Sequence, residues 1–280
     1  MFATAGLGFK SQHLEEALAC SAEGLWFEVH AENYMVDGGP RLAALDALRK
    51  RHPVSLHGVG LSLLSPDAPE PGHLRRLADL VERFRPAVVS DHLAWSRWRG
   101  GHVHDFLPFP RTRQALARAA GNVARVQDAI GRRLLIENPS LYVDVGGHQL
   151  GEAEFLSELA RHTGCGLLVD VNNAYVSAAN LGFDAGAYLD ALPGDAIGEI
   201  HLAGHSRDGG STSLLLIDSH DAPVCEAVWR LYQRLVVRVG PKPTLIERDD
   251  HVPAFAELMS ERQRAHDMLV QSDVVLDHVA

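Results

Sequence analysis

Asp, Asn, Glu and His recur in this sequence where short apolar runs come to an end. The run at 166–170 closes in Asp170-Val-Asn172-Asn173. Others close in Glu28-Val-His30 with Glu32 and Asn33 just beyond, at His57, in Asp91-His92, in Glu137-Asn138, at His201 with His205 four residues on, and in Glu247-Arg-Asp249-Asp250. One such ending is ordinarily a helix N-cap or an Asx-turn, because these side chains satisfy free backbone N–H groups. Seven of eight runs ending this way need another reason. Brought together, so many acids and imidazoles would repel or be stranded, and several divalent or trivalent metal ions would satisfy them. The set holds carboxylates and imidazoles and no cysteine, which excludes thiolate zinc sites and iron–sulfur clusters and leaves iron, manganese or catalytic zinc. Glu28, His30, Asn33, Asp91, His205 and Asp249 stand as candidates to orient ligands or act in catalysis, with Asn33, Asn138 and Asp249 also readable as caps.

The apolar runs themselves must do the gathering. Strands are expected at 4–9, 25–30, 54–57, 87–91, 133–137, 166–170, 197–201 and 243–247, several apolar enough to be buried on both faces. Between them lie segments with helical spacing, such as Leu116, Ala119, Val123, Val126 and Ile130, or Val224, Val228, Leu231, Tyr232 and Leu235. Eight strands alternating with helices, without a linker, predict a single (β/α)8 barrel over residues 1–280, with the metal site at the C-terminal face of the strands. A doubly wound sheet is disfavoured because Gly6-Leu-Gly8 lacks the third glycine of a dinucleotide loop. Two long connections, 92–110 and 202–223, belong to the same face. The first carries Trp95 and Trp98, read as packing residues, and His102 and His104, read as a solvated pair with a lid role as the alternative.

The composition narrows the partners. A net charge of −10 argues against broad nucleic-acid binding, and no 18-residue apolar run is present to cross a membrane. The first residues lack the basic and apolar regions of a signal peptide. Three widely spaced cysteines read as reduced thiols of a cytoplasmic protein.

Specific stretches carry a resemblance. Phe27-Glu-Val-His-Ala-Glu-Asn-Tyr34, Leu56-His-Gly-Val-Gly-Leu-Ser62, Ser90-Asp-His-Leu-Ala-Trp95, His104-Asp-Phe-Leu-Pro-Phe109, Leu135-Ile-Glu-Asn-Pro-Ser140, Asp170-Val-Asn-Asn-Ala-Tyr175, Glu199-Ile-His-Leu-Ala-Gly-His205, Asp218-Ser-His220 and Ile246-Glu-Arg-Asp249 span nearly the whole chain. Together they resemble the multinuclear non-haem iron-dependent oxidases, the family of the methanobactin-maturing oxidase. The resemblance implies a xylose-isomerase-type barrel, a fold shared with trinuclear zinc apurinic endonucleases. It implies two or three irons of mixed Fe(II)/Fe(III) state. His57, His92 and Glu137 would hold the first, and Glu137 would bridge to a second held by Asp170, His201 and Glu247. Asn173, Asp218 and His220 would hold a third, with His205 beside either site. O2 would be co-substrate, and the substrate a cysteine of a ribosomally made precursor peptide, oxidised to an oxazolone–thioamide or related heterocycle. The partner domain that presents the peptide in the family has no counterpart here, which implies a separate partner protein. The ligand types alone would also serve a zinc or manganese phosphodiesterase, a sugar isomerase, or a binding protein with a structural metal. The acidic charge weighs against a DNA substrate, and Asn173, where those endonucleases would place an imidazole, weakens the preference for zinc at the third site.

Overall fold

The computed structural model describes residues 3–98, 101–103, 106–209 and 215–277. Its eight long strands are β1 (Ala5–Gly8), β2 (Phe27–His30), β3 (Val54–Gly58), β4 (Val89–His92), β5 (Leu135–Glu137), β6 (Gly166–Asp170), β7 (Ile197–Leu202) and β8 (Thr244–Ile246). Each neighbours the next in parallel, and β8 returns to β1 to close a barrel. All eight predicted strands are present. The expected barrel is the observed one. Every residue of β3 and β6 is buried, as continuous apolar runs require when helices cover one side and the barrel interior the other.

The helices form where the spacing predicts, and one more, Val171–Leu181, follows the Asp170 strand end where the spacing predicts none. α1 (Leu14–Ala19), α2 (Pro40–Arg51), α3 (Pro71–Phe84), α4 (Arg113–Ile130), α5 (Glu152–Thr163), α6 (Val171–Leu181), α7 (Ala185–Asp190), α8 (Glu226–Val239) and α9 (Phe255–Asp277) follow in chain order. α4 buries Leu116, Ala119, Val123, Val126 and Ile130, a single stripe. α5 and α6 stop at Gly164 (φ 70°) and Gly182 (φ 77°), left-handed positions that favour glycine. α9, whose sequence shows only weak amphipathy, packs against β1 and β8 across the closing seam.

Register sets the site. His30 lies beside His57, His92 beside Glu137, and Asp170 beside His201 on adjacent strands. Each of the two long connections carries a small hairpin, Arg97–Trp98 with Gly101–His102 and Ser206–Arg207 with Leu216–Ile217. Trp95 packs on the core as expected, its indole N–H donated to the Arg97 carbonyl at 2.8 Å. The side chains of Trp98 and His102, and residues Arg99, His104 and Asp105, lie outside the described part, so the paired-histidine expectation does too.

Candidate metal centre

At the C-terminal ends of β3, β4 and β5, Nε2 of His57 and Nε2 of His92 each lie 3.2 Å from Glu137 Oε2. The far side of each ring is anchored. His57 Nδ1 pairs with the Ser90 hydroxyl at 2.8 Å, and His92 Nδ1 faces the Gly58 carbonyl at 3.3 Å. That carbonyl can only accept, so His92 carries its proton on Nδ1 and turns a bare Nε2 to Glu137. Glu137 Oε2 is buried and makes no hydrogen bond. Ligand atoms about 2.0–2.2 Å from one ion stand about 3.0–3.5 Å from each other, which is the spacing seen. The three atoms converge on a common point.

Glu137 is the hinge to the next group. Its Oε1 accepts the Asn173 side-chain amide at 3.2 Å, and its carboxylate gathers with Asp170 and His201. Asp170 divides its two oxygens. Oδ1 caps α6 by accepting the Asn173 N–H at 2.7 Å, while Oδ2 is buried without a partner. Asn138 clasps the same strand end, donating to the Asp170 carbonyl at 3.0 Å and accepting its N–H at 2.9 Å. Glu247, at the end of β8, sets Oε2 3.1 Å from His201 Nδ1.

A third group forms from Asp170, His220 and Glu247. His220 Nε2 is 2.9 Å from Asp218 Oδ1, and Nδ1 is 3.2 Å from Asp249 Oδ2. Asp249 is itself tied to Lys10 at 2.7 Å, and so acts as the orienting group of His220. Asn173 approaches this group differently from its neighbour. Its amide nitrogen is spent on Glu137 and the Asn138 carbonyl, and its Oδ1 stays buried and unpartnered. Asn172 is the residue that donates to Asp218, at 2.7 Å. The Asn172 Oδ1 faces His205 Nδ1 at 2.8 Å, which fixes the proton on Nδ1.

Burial and close-set charges shift the cluster's titrating groups in both directions. Burial first, then neighbouring imidazoles, hold His57 well below its ordinary value, and burial takes His92 down to about 4. Burial raises Glu137 well above the carboxylate range, against the pull of His201. Burial and then the Asp218 charge push Asp170 up to about 7. Burial opposes the charged form of His201 and His220, yet their carboxylate neighbours raise both well above the imidazole range. The orphaned buried atoms Glu137 Oε2, Asp170 Oδ2, Asn173 Oδ1 and His220 Nε2 all belong to this mouth. A mixed nitrogen and oxygen donor set of this kind fits iron.

A family described as RiPP precursor modification enzyme MbnB/TglH/ChrH matches residues 4–270. This chain belongs to that family. It is therefore an enzyme of precursor-peptide modification. A UPF0276 protein of Caulobacter vibrioides is 66% identical over 265 residues, covering 95% of this chain and 94% of its own. A UPF0276 protein of Paraburkholderia phytofirmans is 49% identical, covering 98% and 90%. Among solved structures, D-psicose 3-epimerase of Clostridium cellulolyticum H10 aligns with a TM-score of 0.61 at 9% identity over 98% of this chain and 99% of its own. A xylose isomerase domain protein of Salmonella typhimurium LT2 aligns at 0.62 and 14%, over 92% and 90%. These two establish the barrel type alone.

The remaining sequence candidates take distinct places around the family's barrel mouth. His30 Nε2 faces Glu247 Oε1 at 3.4 Å, and Asp91 is buried and accepts the Leu61 N–H at 3.3 Å. Burial, and then Glu32, raise Asp91 well above its ordinary range. Asn33 is exposed on the rim of a small polar cavity of about 350 Å³ that it shares with Lys10, His30, Arg41, Glu247 and Asp249. Glu28 lies deeper in the barrel beside Glu199, which sequence reasoning passed over as part of an apolar strand. Its one signal is its phase, two residues before His201 and on the same face. On the other flank, Phe106 packs at a tilt against His92, ring centroids 4.5 Å apart, and lines an apolar cleft of about 530 Å³, whose rim exposes Val143, Val145 and Phe183.

Proposed function

We propose that this protein is a multinuclear non-haem iron oxidase that uses O2 to modify a cysteine of a ribosomally synthesised precursor peptide. The observation that supports it is the set of overlapping ligand groups, joined through Glu137, Asp170 and Glu247, at the mouth of a barrel belonging to a peptide-modifying family. His57, His92 and Glu137 would hold one iron. Glu137, Asp170, His201 and Glu247 would hold a second, and Asp218 and His220, with Asn173 Oδ1 within the same buried mouth, a third. Bound there, iron supplies the redox capacity to move electrons from the cysteine to O2.

The chain's own residues do the rest. The apolar cleft beside His92 suits an extended peptide segment and excludes water from that flank. His205, kept neutral because burial lowers its pKa, has its proton on Nδ1 and leaves Nε2 as acceptor for the substrate thiol. Loss of that proton makes the thiolate, the reactive form of cysteine. A separate partner protein presents the peptide, and the reaction is an oxidative rearrangement of the cysteine, for example to an oxazolone–thioamide or a related heterocycle. The protein acts as one barrel domain in the cytoplasm, where Cys20, Cys165 and Cys225 remain free thiols. Among the described residues no helix is long and apolar enough to cross a membrane.

Protein purified from iron-rich medium, incubated with a cysteine-containing precursor peptide and its partner, is expected to change the peptide mass only when O2 is admitted. Full zinc occupancy with no O2-dependent mass change defeats the reading.

A further inference from the structure

Interior layers of a barrel of this kind are ordinarily filled by branched apolar side chains. Here one layer holds two carboxylates. Strand alternation places Glu28 beneath His30 on β2 and Glu199 beneath His201 on β7, and both are buried, at 2% and 0% exposure. A buried carboxylate without a partner is costly, so the pair needs a purpose.

Their geometry supplies one. Glu28 Oε2 is fixed by the Ser55 hydroxyl at 2.8 Å, across the register that pairs those two residues. The other oxygen, Oε1, approaches His201 Nε2 at 3.3 Å, and Glu199 Oε1 stands 3.8 Å from the same nitrogen. The opposite ring nitrogen, Nδ1, faces Glu247 at 3.1 Å. Glu28 Oε1, both Glu199 oxygens and His201 Nε2 are buried and make no hydrogen bond, so the floor meets the ring as a close ion-pair contact while the ring's hydrogen bond is the one at Nδ1.

We propose that Glu28 and Glu199 are positioning residues, a carboxylate floor that receives the Nε2 proton of His201 and sets Nδ1 free as the ligand. The floor fixes the tautomer and the ring angle and makes the imidazole a more basic donor. This rests on His201 being a ligand of the second ion in the proposed centre. A cation seated on the floor would demand the opposite tautomer, with Nδ1 protonated, so the two arrangements are distinguishable.

The test is a cobalt(II) titration of metal-free protein, full chain, comparing wild type with Glu199→Gln and Glu28→Gln and checking the fold by far-UV circular dichroism. The expected result is unchanged stoichiometry at saturation, with affinity at one site weakened about 10–100-fold and the others unaltered. In the cobalt-loaded protein, one exchangeable, paramagnetically shifted imidazole N–H resonance should move in the variants. Unchanged affinity at every site overturns the proposal. So does the loss of one whole ion at saturation, which would make the floor a cation site. Should Glu199→Gln not fold, Glu28→Gln decides on the same readings. Failure of the oxidase reading shows separately, as a wild-type protein that binds cobalt normally but, loaded with iron, leaves the peptide unchanged.

Discussion

Asp170 Oδ1 holds the backbone N–H of Asn173 at 2.7 Å while Oδ2 of the same carboxylate is buried with no hydrogen-bond partner. One side chain thus caps α6 and offers a free oxygen to the centre. Asp170→Asn can keep the cap through its amide oxygen but loses the charge. It should bind the second ion at least about tenfold more weakly with little change in the metal-free melting temperature, since each lost factor of ten is about 1.4 kcal/mol. Asp170→Ala loses both roles and should cost a further ~1 kcal/mol of stability. Thermal melts of metal-free protein and metal titrations of the two variants separate these contributions.

Glu137 joins two of the ligand groups. Glu137→Ala is expected to remove two ions together and abolish turnover, while circular dichroism shows an intact barrel. Elemental analysis checks it, and an unchanged metal content would refute the bridging role.

Acid should empty the centre. Asp170 has its pKa raised to about 7, and Glu137 is raised well above the carboxylate range, so ions must displace protons from both. Each displaced proton weakens binding about tenfold per pH unit below the group's pKa. Metal affinity measured by competition with a chelator should therefore be at least about tenfold lower at pH 6 than at pH 8. A flat profile across that window contradicts the protonated carboxylates.

His205 tests the proton step without touching the ligands. His205→Gln should leave the metal content at the wild-type level and lower the turnover number by about 10²–10³-fold, within the usual range for a lost general base. Recovery of rate at higher pH, where the substrate thiol ionises unaided, distinguishes this from misfolding.

The strand ends were legible because type and position agree. A run of four apolar or small residues closing in Asp170 is a strand by its length and its buried character, and the observed β6, Gly166–Asp170, has those same bounds. Glu199 was hidden by the same logic, since a single acid inside 197–202 barely disturbs an apolar run. At the start of α6 the difficulty is rotational. Successive helix residues point about 100° apart, so Asn172 reaches Asp218 while Asn173 turns to Glu137. Which asparagine serves which group depends on where the first turn begins, and that is decided by the local Asp170 cap together with the Asn138 clasp, which reaches across 32 residues of chain.

The closing seam between β8 and β1 has a consequence for biosynthesis. Glu247 enters only with the last of the eight strands, so a ribosome-bound chain that has completed β1 to β7 still lacks that carboxylate. Domains fold as units, and here the unit is complete only when the two ends of the sheet meet. A ligand group that needs Glu247, such as Asp170, His220 and Glu247, is therefore assembled only in the finished barrel, whereas the groups built on Glu137 draw on earlier strands alone.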